Sequence, residues 1–555
     1  MLGSDASEGA PDAGARRREE VAMGFDRVGA RLAGLAAIAT VALACGSGAA
    51  LAAGELHIAN SGEPDTLDPH HVEGVWENRI IGDMLLGLTT EAADGSVIPG
   101  AAESWEVSDD GTVYTFALRD HSWSDGTPVS AEDFVFALQR ILDPAEAAEY
   151  ASLLYTIENA KALNEGAIEG MDQLGVRALD PKTLEITLEG PTPYFIEQLT
   201  HYTAFPVPRH KVEELGDDWI KPGNIVGNGA YTVVEWLPNT HVKAQKNEAF
   251  YDAENVAIET VYFYPAEERN AATKRFRAGE IDVQYDFASE QIDWLEENLP
   301  EETRIAPWLG IYYYAINTRQ APFDEPALRQ ALAMAIDREA ITEKVLRTGE
   351  IPAYSFVPPG TGNYGEPAYV SWKGMPYDER LAKAKELMAT AGFGPDNPLQ
   401  LTLRYNTSEN HKKIAIAVAA MWKALGVQTE LFNAEVKVHY NDIQEGNFQV
   451  ARAGWIADYN DAQNFLYLMD SATGVLNYAG YASEEFDRLM REASATADLE
   501  QRAELLRQAE AVAMADMPNI PINYYVSKNL VAQHVKGWVD NTKDIHRTRW
   551  LAVER

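Results

Sequence analysis

The chain has 555 residues, with 46 lysines and arginines against 85 aspartates and glutamates, a formal net charge of −39 and one cysteine, Cys45. A surface of that sign repels nucleic acid and anionic lipid, and a lone cysteine excludes an internal disulfide framework. The length exceeds what one hydrophobic core organises, so two or three domains are expected.

Arg27 and Arg31 precede an apolar run from Leu32 to Cys45, followed by small residues through Ala50-Leu51-Ala52. This is the pattern of a secretory signal peptide with an Ala-x-Ala cleavage site, so residues 1–52 are expected to be a leader and the exported chain to begin near Ala53. Met23 is an alternative start, because residues 1–22 are polar. Lipidation at Cys45 is the rival reading; it fits less well because Leu43 sits one place too close to the cysteine. No later apolar stretch has the length of a membrane helix, so a soluble protein outside the inner membrane is expected.

ELHIAN at 55–60 alternates polar and apolar residues and predicts an opening strand. A proline- and acid-rich loop leads to a helix expected from Trp76 to about Leu88. Asp110-Gly111 reads as a hairpin turn, and Ser130 with Asp133 as a capping box. A strand is expected from Thr183 to Leu188, then a short helix past Pro191, and Asn228-Gly229 as a turn before a strand from Tyr231 to Trp236. A helix from Glu267 should stop at Gly279, before a strand from Ile281 to Tyr285. Helices near 325–348, 378–391 and 410–425 flank expected strands from Leu399 to Tyr405 and Val427 to Phe432. Helices near 483–494 and 499–514 precede a last strand from Ile522 to Val526. Interleaved strands and helices without a repeat period predict α/β domains.

Chemistry is sparse. No nucleophile elbow, phosphate loop, His-Glu-x-x-His or exported cysteine occurs, so no catalytic residue and no cofactor is expected. His70-His71 behind Asp65 and Asp68 makes a poor metal site, because adjacent histidines project differently, and no metal is expected. The stretch from Phe448 to Asp461, FQVARAGWIADYND, is more informative. A buried strand there ends in Arg452, Gly454-Trp455 and Asp458: glycine admits another backbone, tryptophan gives a flat wall, and a sheltered carboxylate attracts a small cation. The structural alternative makes Trp455 core and Arg452–Asp458 an ion pair. Aromatic residues gather at Trp308, Tyr312-Tyr313-Tyr314 and Tyr524-Tyr525.

The stretches LDPHHVEGV, AAESWEVSDDGTVYTFALRDHSWSDGTPVSAEDFVFALQR, PGNIVGNGAY, RAGEID, YYYAIN, RYNTSENHKK and ARAGWIADYN span nearly the whole exported chain. Through them the sequence resembles the bacterial periplasmic oligopeptide-binding proteins of solute-binding family 5, the receptors of peptide ABC importers. The resemblance implies an α/β type II periplasmic binding protein, a two-lobed clamshell with an extra third domain. Domain I would comprise 53–84, 208–310 and 526–555, domain II 85–207 and domain III 311–525, with hinges near 310 and 525. A peptide would lie extended between lobes, pairing with the backbone of Glu73, Gly74 and Val75 and of Gly454, Trp455 and Ile456, its α-ammonium on Asp458. Tyr150, Trp308, Tyr313, His411, Trp455 and Tyr524 would line the cleft, with Arg452 and His411 at the carboxylate end. The sequence departs from the family pattern at Ile443-Gln444 and Leu346, where cations are expected, and at Val436, where a tryptophan is. The implied partners are an oligopeptide and a membrane ABC permease, the implied state a periplasmic monomer. Murein peptides, dipeptides or another small solute are the alternative ligands; a secreted carboxylate-dependent hydrolase is the alternative of a different class.

Overall fold

The computed structural model describes residues 54–148 and 150–555; the expected leader and Cys45 lie outside the described residues. Its organising feature is a pair of long strands. Thr303–Ile316 and Asn519–Val531 run antiparallel, with a register break between Pro307 and Ile311. Proline cannot donate to a ladder and Gly310 has no side chain to pack, so the irregularity falls where the sequence supports it least. Both strands are longer than their sequence signals, since the alternating aromatics mark only their middles.

These strands sit at the centre of one eleven-stranded sheet. On one side lie Val450–Ile456, Gln400–Asn406 and Gln428–Ala434; on the other lie Val283–Tyr285, Glu55–Ala59, Thr260–Tyr264, His241–Lys246 and Tyr231–Leu237, and the short strand Ile351–Pro352 pairs with Asn519–Val531 off this path. Two large hydrophobic cores form around it. A C-terminal lobe draws its core from 309–524, around Ile311, Leu332 and Trp422. An N-terminal lobe draws its core from 56–285 with Val531, Val535 and Leu551. Each fully buried side chain such as Trp422 or Phe116 contributes on the order of 2–3 kcal/mol. Among the described residues no helix is long and apolar enough to cross a membrane.

Local signals are realised where the chain closes on itself. Ala102–Val107 and Val113–Leu118 form the hairpin, with Ser108 Oγ donating to Asp110 Oδ1 at 2.6 Å and Gly111 at φ +73°. Helix Ala131–Leu142 opens on the Ser130/Asp133 capping box. The hairpin joins Thr183–Thr187 and an unanticipated strand, Val176–Asp180, in a separate four-stranded sheet.

Two helices differ from expectation, each because of a long-range polar contact. The first spans Val75–Met84 and not 76–88, because the buried Asn228 side chain takes both backbone groups of Leu86: it accepts from the nitrogen at 2.9 Å and donates to the oxygen at 3.0 Å. The residue read as a turn former is therefore a staple between distant segments. The helix expected near 325–348 is broken into Pro326–Met334, Arg338–Ala340 and Ile341–Leu346. The buried Arg338 guanidinium donates to Ala333 O, Ile336 O and Pro521 O, satisfying the carbonyls left where the first piece ends, and Asp337 caps the next.

Candidate functional site

Strand Val450–Ile456 is paired on both sides only at its start. The parallel neighbour Gln400–Asn406 touches it at Val450 and Ala451 alone, while the antiparallel neighbour follows it from Val450 to Ile456. Ala457 N donates to Leu309 O, so by alternation the backbone groups of Ala453 and Trp455 face that neighbour too. Those of Arg452, Gly454 and Ile456 face the other way. The Arg452 carbonyl meets His439 Nε2 at 2.9 Å. Gly454 and Ile456 present donors and acceptors along an edge with no neighbouring strand, and an extended chain can pair there.

Each end of this open edge carries an ionisable side chain that, among the described residues, has no salt-bridge partner. At one end, among the described residues, the Asp458 carboxylate accepts only from Asn464 Nδ2, at 3.3 Å. Asn464 is itself fixed by Trp455 Nε1 (2.9 Å) and Asp458 N (3.1 Å). Burial beside the aromatic rings pushes the Asp458 pKa up to about 7, with the Asn464 bond opposing the rise. At the other end the Arg452 guanidinium donates to Asn406 Oδ1 (3.2 Å), Tyr440 (3.0 Å) and Tyr525 (2.7 Å), and lies 5.0 Å from the centre of the Tyr312 ring. Among the described residues it has no carboxylate in ion-pair range, so the Arg452–Asp458 pair considered from sequence does not form. Gly454 makes room for this arrangement: a Cβ there would stand 2.6 Å from the Tyr525 hydroxyl and 2.9 Å from Arg452 Nη2.

The N-terminal lobe closes over the edge. Tyr150 is half-buried, and its pKa is raised first by desolvation and then by charges that include Asp458 and Glu73. Glu73 and Gly74 lead into the helix at Val75, and a Cβ on Gly74 would strike the Trp76 indole at 2.7 Å. Tyr194 stacks on Tyr459 across the lobes, centroids 4.7 Å apart and planes within 5°. Arg502 lies 5.2 Å from the Tyr194 ring centre and forms a buried bidentate pair with Asp461.

Other expected residues fall as follows. Trp455 packs edge-on to Tyr467, and shares a sheet face with Ile311 and Tyr524 through their cross-strand register. Tyr524 is tied to Ser355 and Tyr313 packs edge-on to Phe356, so both rings form a packed floor and not free walls. Trp308 donates to Lys543 O and stands 6.2 Å from the Tyr525 ring. His411 requires a correction. Expected to assist Arg452 as a cation, it has its pKa pushed down to about 2 by burial and by Arg452, so it is a neutral group. His70 accepts from Arg140 and His71 bonds Glu146, and among the described residues no three candidate ligands are placed to hold a metal. Sequence reasoning missed Asn464 and Tyr440, and it gave no role to Tyr525 or Asn406; these four hold the two charged side chains in place.

The raised pKa of Asp458 has a measurable consequence. Only the ionised acid can pair with an ammonium, so binding a cationic group here releases a proton near and below pH 7. Affinity for such a ligand should rise with pH up to about 7, by at most about tenfold per unit on the acid side. Calorimetry between pH 5.5 and 7.5 tests this; a flat profile excludes Asp458 as the partner.

Residues 96–477 match the family model described as bacterial extracellular solute-binding proteins, family 5 Middle. The chain is 41% identical over 512 residues to the periplasmic oligopeptide-binding protein OppA of Salmonella typhimurium, covering 91% of this chain and 93% of that one. Haemophilus influenzae OppA, solved in complex with RPPGFSPFR, superposes with TM-score 0.81 at 38% identity, covering 90% of this chain and 99% of that one. The Escherichia coli murein tripeptide binding protein MppA also superposes with TM-score 0.81, at 39% identity and 90% and 98% coverage.

Proposed function

The chain belongs to the bacterial extracellular solute-binding proteins of family 5, and we propose that it is a periplasmic receptor that encloses an oligopeptide and delivers it to an ABC permease without transforming it. The observation that carries this reading is the open strand edge at Gly454 and Ile456, set between an unpaired carboxylate and an unpaired guanidinium. A peptide with free termini complements all three features. Backbone pairing is blind to side chains, so the site accepts many sequences, while the two charges fix which end is which. On this reading residues 1–52 export the protein, which acts as a monomer and binds no nucleic acid. The domain division of 53–84, 208–310 and 526–555, then 85–207, then 311–525 belongs to the same reading; in its favour, the four-stranded sheet lies wholly within 85–207. The Tyr194–Tyr459 stack fits a closing contact between lobes.

A murein peptide is the second reading, supported by equal structural likeness to the murein tripeptide binder and to OppA. Mass spectrometry of ligand carried through purification separates the two, because murein peptides carry a diamino acid such as diaminopimelate, whose mass matches no residue of an ordinary peptide. Added ligand should also compact the protein in small-angle scattering, as hinge closure requires. An unchanged radius of gyration at saturation, starting from ligand-stripped protein, would sink the enclosing mechanism.

A further inference from the structure

One carboxylate shapes the segment that runs behind the floor of the cleft. From Ala353 to Val370 the chain forms neither helix nor strand. Glu510, wholly buried on helix Leu499–Asp516, reaches into it. Its Oε1 accepts from Phe356 N at 2.9 Å and Val357 N at 2.7 Å, and its Oε2 from the Tyr364 hydroxyl at 2.6 Å and Ala368 N at 2.7 Å. Four donors fill the capacity of one ionised carboxylate, and among the described residues no cation forms a salt bridge with it. An amide could not replace it: glutamine offers one oxygen and sets an NH2 group against two of the four donors.

The same segment meets the candidate site at three points. Ser355 bonds the Tyr524 hydroxyl, Phe356 packs edge-on to Tyr313 with ring centres 5.1 Å apart, and Gly362 N donates to Asn460 Oδ1 at 2.7 Å. The last contact is close: a Cβ on Gly362 would stand 2.7 Å from Asn460 O. Asn460 lies two residues after Asp458, and Asn464 bonds the Asp458 carboxylate from further along the same turn. The limbs of the segment on either side of Gly362 thus hang on one group, Glu510, at residues 356 and 357 on one side and at 364 and 368 on the other.

We propose that Glu510 is a positioning residue for ligand binding: without touching the ligand, it ties both limbs of the 355–368 segment and so braces the turn that carries Asp458, together with the Tyr313 and Tyr524 floor. The inference deepens the peptide-receptor reading above and rests on it. A carboxylate that only stabilised the lobe would act on every peptide alike. One that braces the Asp458 turn acts most on ligands that use Asp458.

Calorimetry at pH 8, above the value of about 7 to which burial raises the Glu510 pKa, decides it with free-amine peptides and their N-acetylated forms. Glu510→Gln should weaken free-amine peptides by about tenfold or more, as expected when buried bonds to a charged group are broken, and N-acetylated peptides by clearly less. Combined with Asp458→Asn, the further loss should shrink to about threefold or less, because the two residues act through one turn. Amide exchange in the ligand-free variant should quicken across 356–368 while strand Thr303–Ile316 keeps its protection. Tyr364→Phe removes one donor and leaves the backbone bonds; it should show the same pattern at about threefold, and carries the test if the glutamine variant does not fold. Unchanged free-amine affinity overturns the proposal. So does an equal loss for free-amine and N-acetylated peptides, or a loss undiminished beside Asp458→Asn. A wild type that binds no peptide overturns the receptor reading, and this inference with it.

Discussion

Asp458→Asn should weaken binding of free-amine peptides by about 30-fold to several-thousand-fold, because removing one partner of a desolvated charge pair typically costs about 2–5 kcal/mol. The carboxylate is surrounded by protein yet part of it still borders the cleft, so the lower half of that range is the better expectation. An α-ammonium taken between closed lobes loses its hydration, and without the Asp458 charge much of that loss would be uncompensated. N-acetylated peptides should bind wild type poorly and be almost indifferent to the substitution. The empty protein should not be destabilised. An acid whose folded pKa is raised to about 7 loses stability as pH climbs from its unfolded value through 7, and the ionised group is a net cost above that. At pH 8 the asparagine removes that cost while its amide oxygen still accepts from Asn464, so the melting temperature should hold or rise. Equal binding of free-amine peptides by wild type and variant would make Asp458 a structural acid.

The second large effect is expected on stability. Asp461 and Arg502 form two 2.8 Å bonds with both side chains almost wholly buried, joining the loop after Val450–Ile456 to helix Leu499–Asp516. Asp461→Ala leaves an arginine charge without its partner in the interior, which typically costs about 3–5 kcal/mol. Asp461 also accepts from Gln463 N, one residue before Asn464, so peptide affinity should fall along with the urea midpoint. Replacing both partners together, Asp461→Leu with Arg502→Met, should recover much of the stability, because two desolvation costs are then absent. A single variant that loses less than about 1 kcal/mol in urea titration would show that Arg502 is satisfied without the pair.

How much was legible follows the sequence distance of the contacts involved. The Asp110-Gly111 hairpin, the Ser130 capping box and the run from Arg452 to Asp458 are written within a few residues, and periodicity with turn chemistry exposes them. The groups that make the run a site are not local. Tyr525 is 73 residues from Arg452, Asn406 is 46, and the Asp461–Arg502 pair spans 41. Asn228 misled for the same reason: next to glycine it has the composition of a turn, and its partner Leu86 is 142 residues away. The neutral state of His411 was equally hidden, since it depends on burial and on a guanidinium from another element. Helix breaks at Arg338 belong with these, because a long apolar-periodic stretch carries no mark of a buried cation reaching back to its own carbonyls.

The open edge at Gly454 and Ile456 also bears on how the protein avoids sticking to itself. An unpaired strand edge is ordinarily a template for aggregation, and many proteins blunt it with charge, proline or a bulge. None of these devices occupies Gly454-Trp455-Ile456. Protection comes instead from enclosure: Gly454, Trp455 and Ile456 are only partly exposed, and the stack of Tyr194 on Tyr459 joins the lobes close by, which leaves little room for another sheet. A single unfolded segment can enter where a folded neighbour cannot. The same enclosure that selects extended ligands therefore keeps the chain from polymerising, and any lesion that props the lobes apart exposes an adhesive surface as well as an empty one.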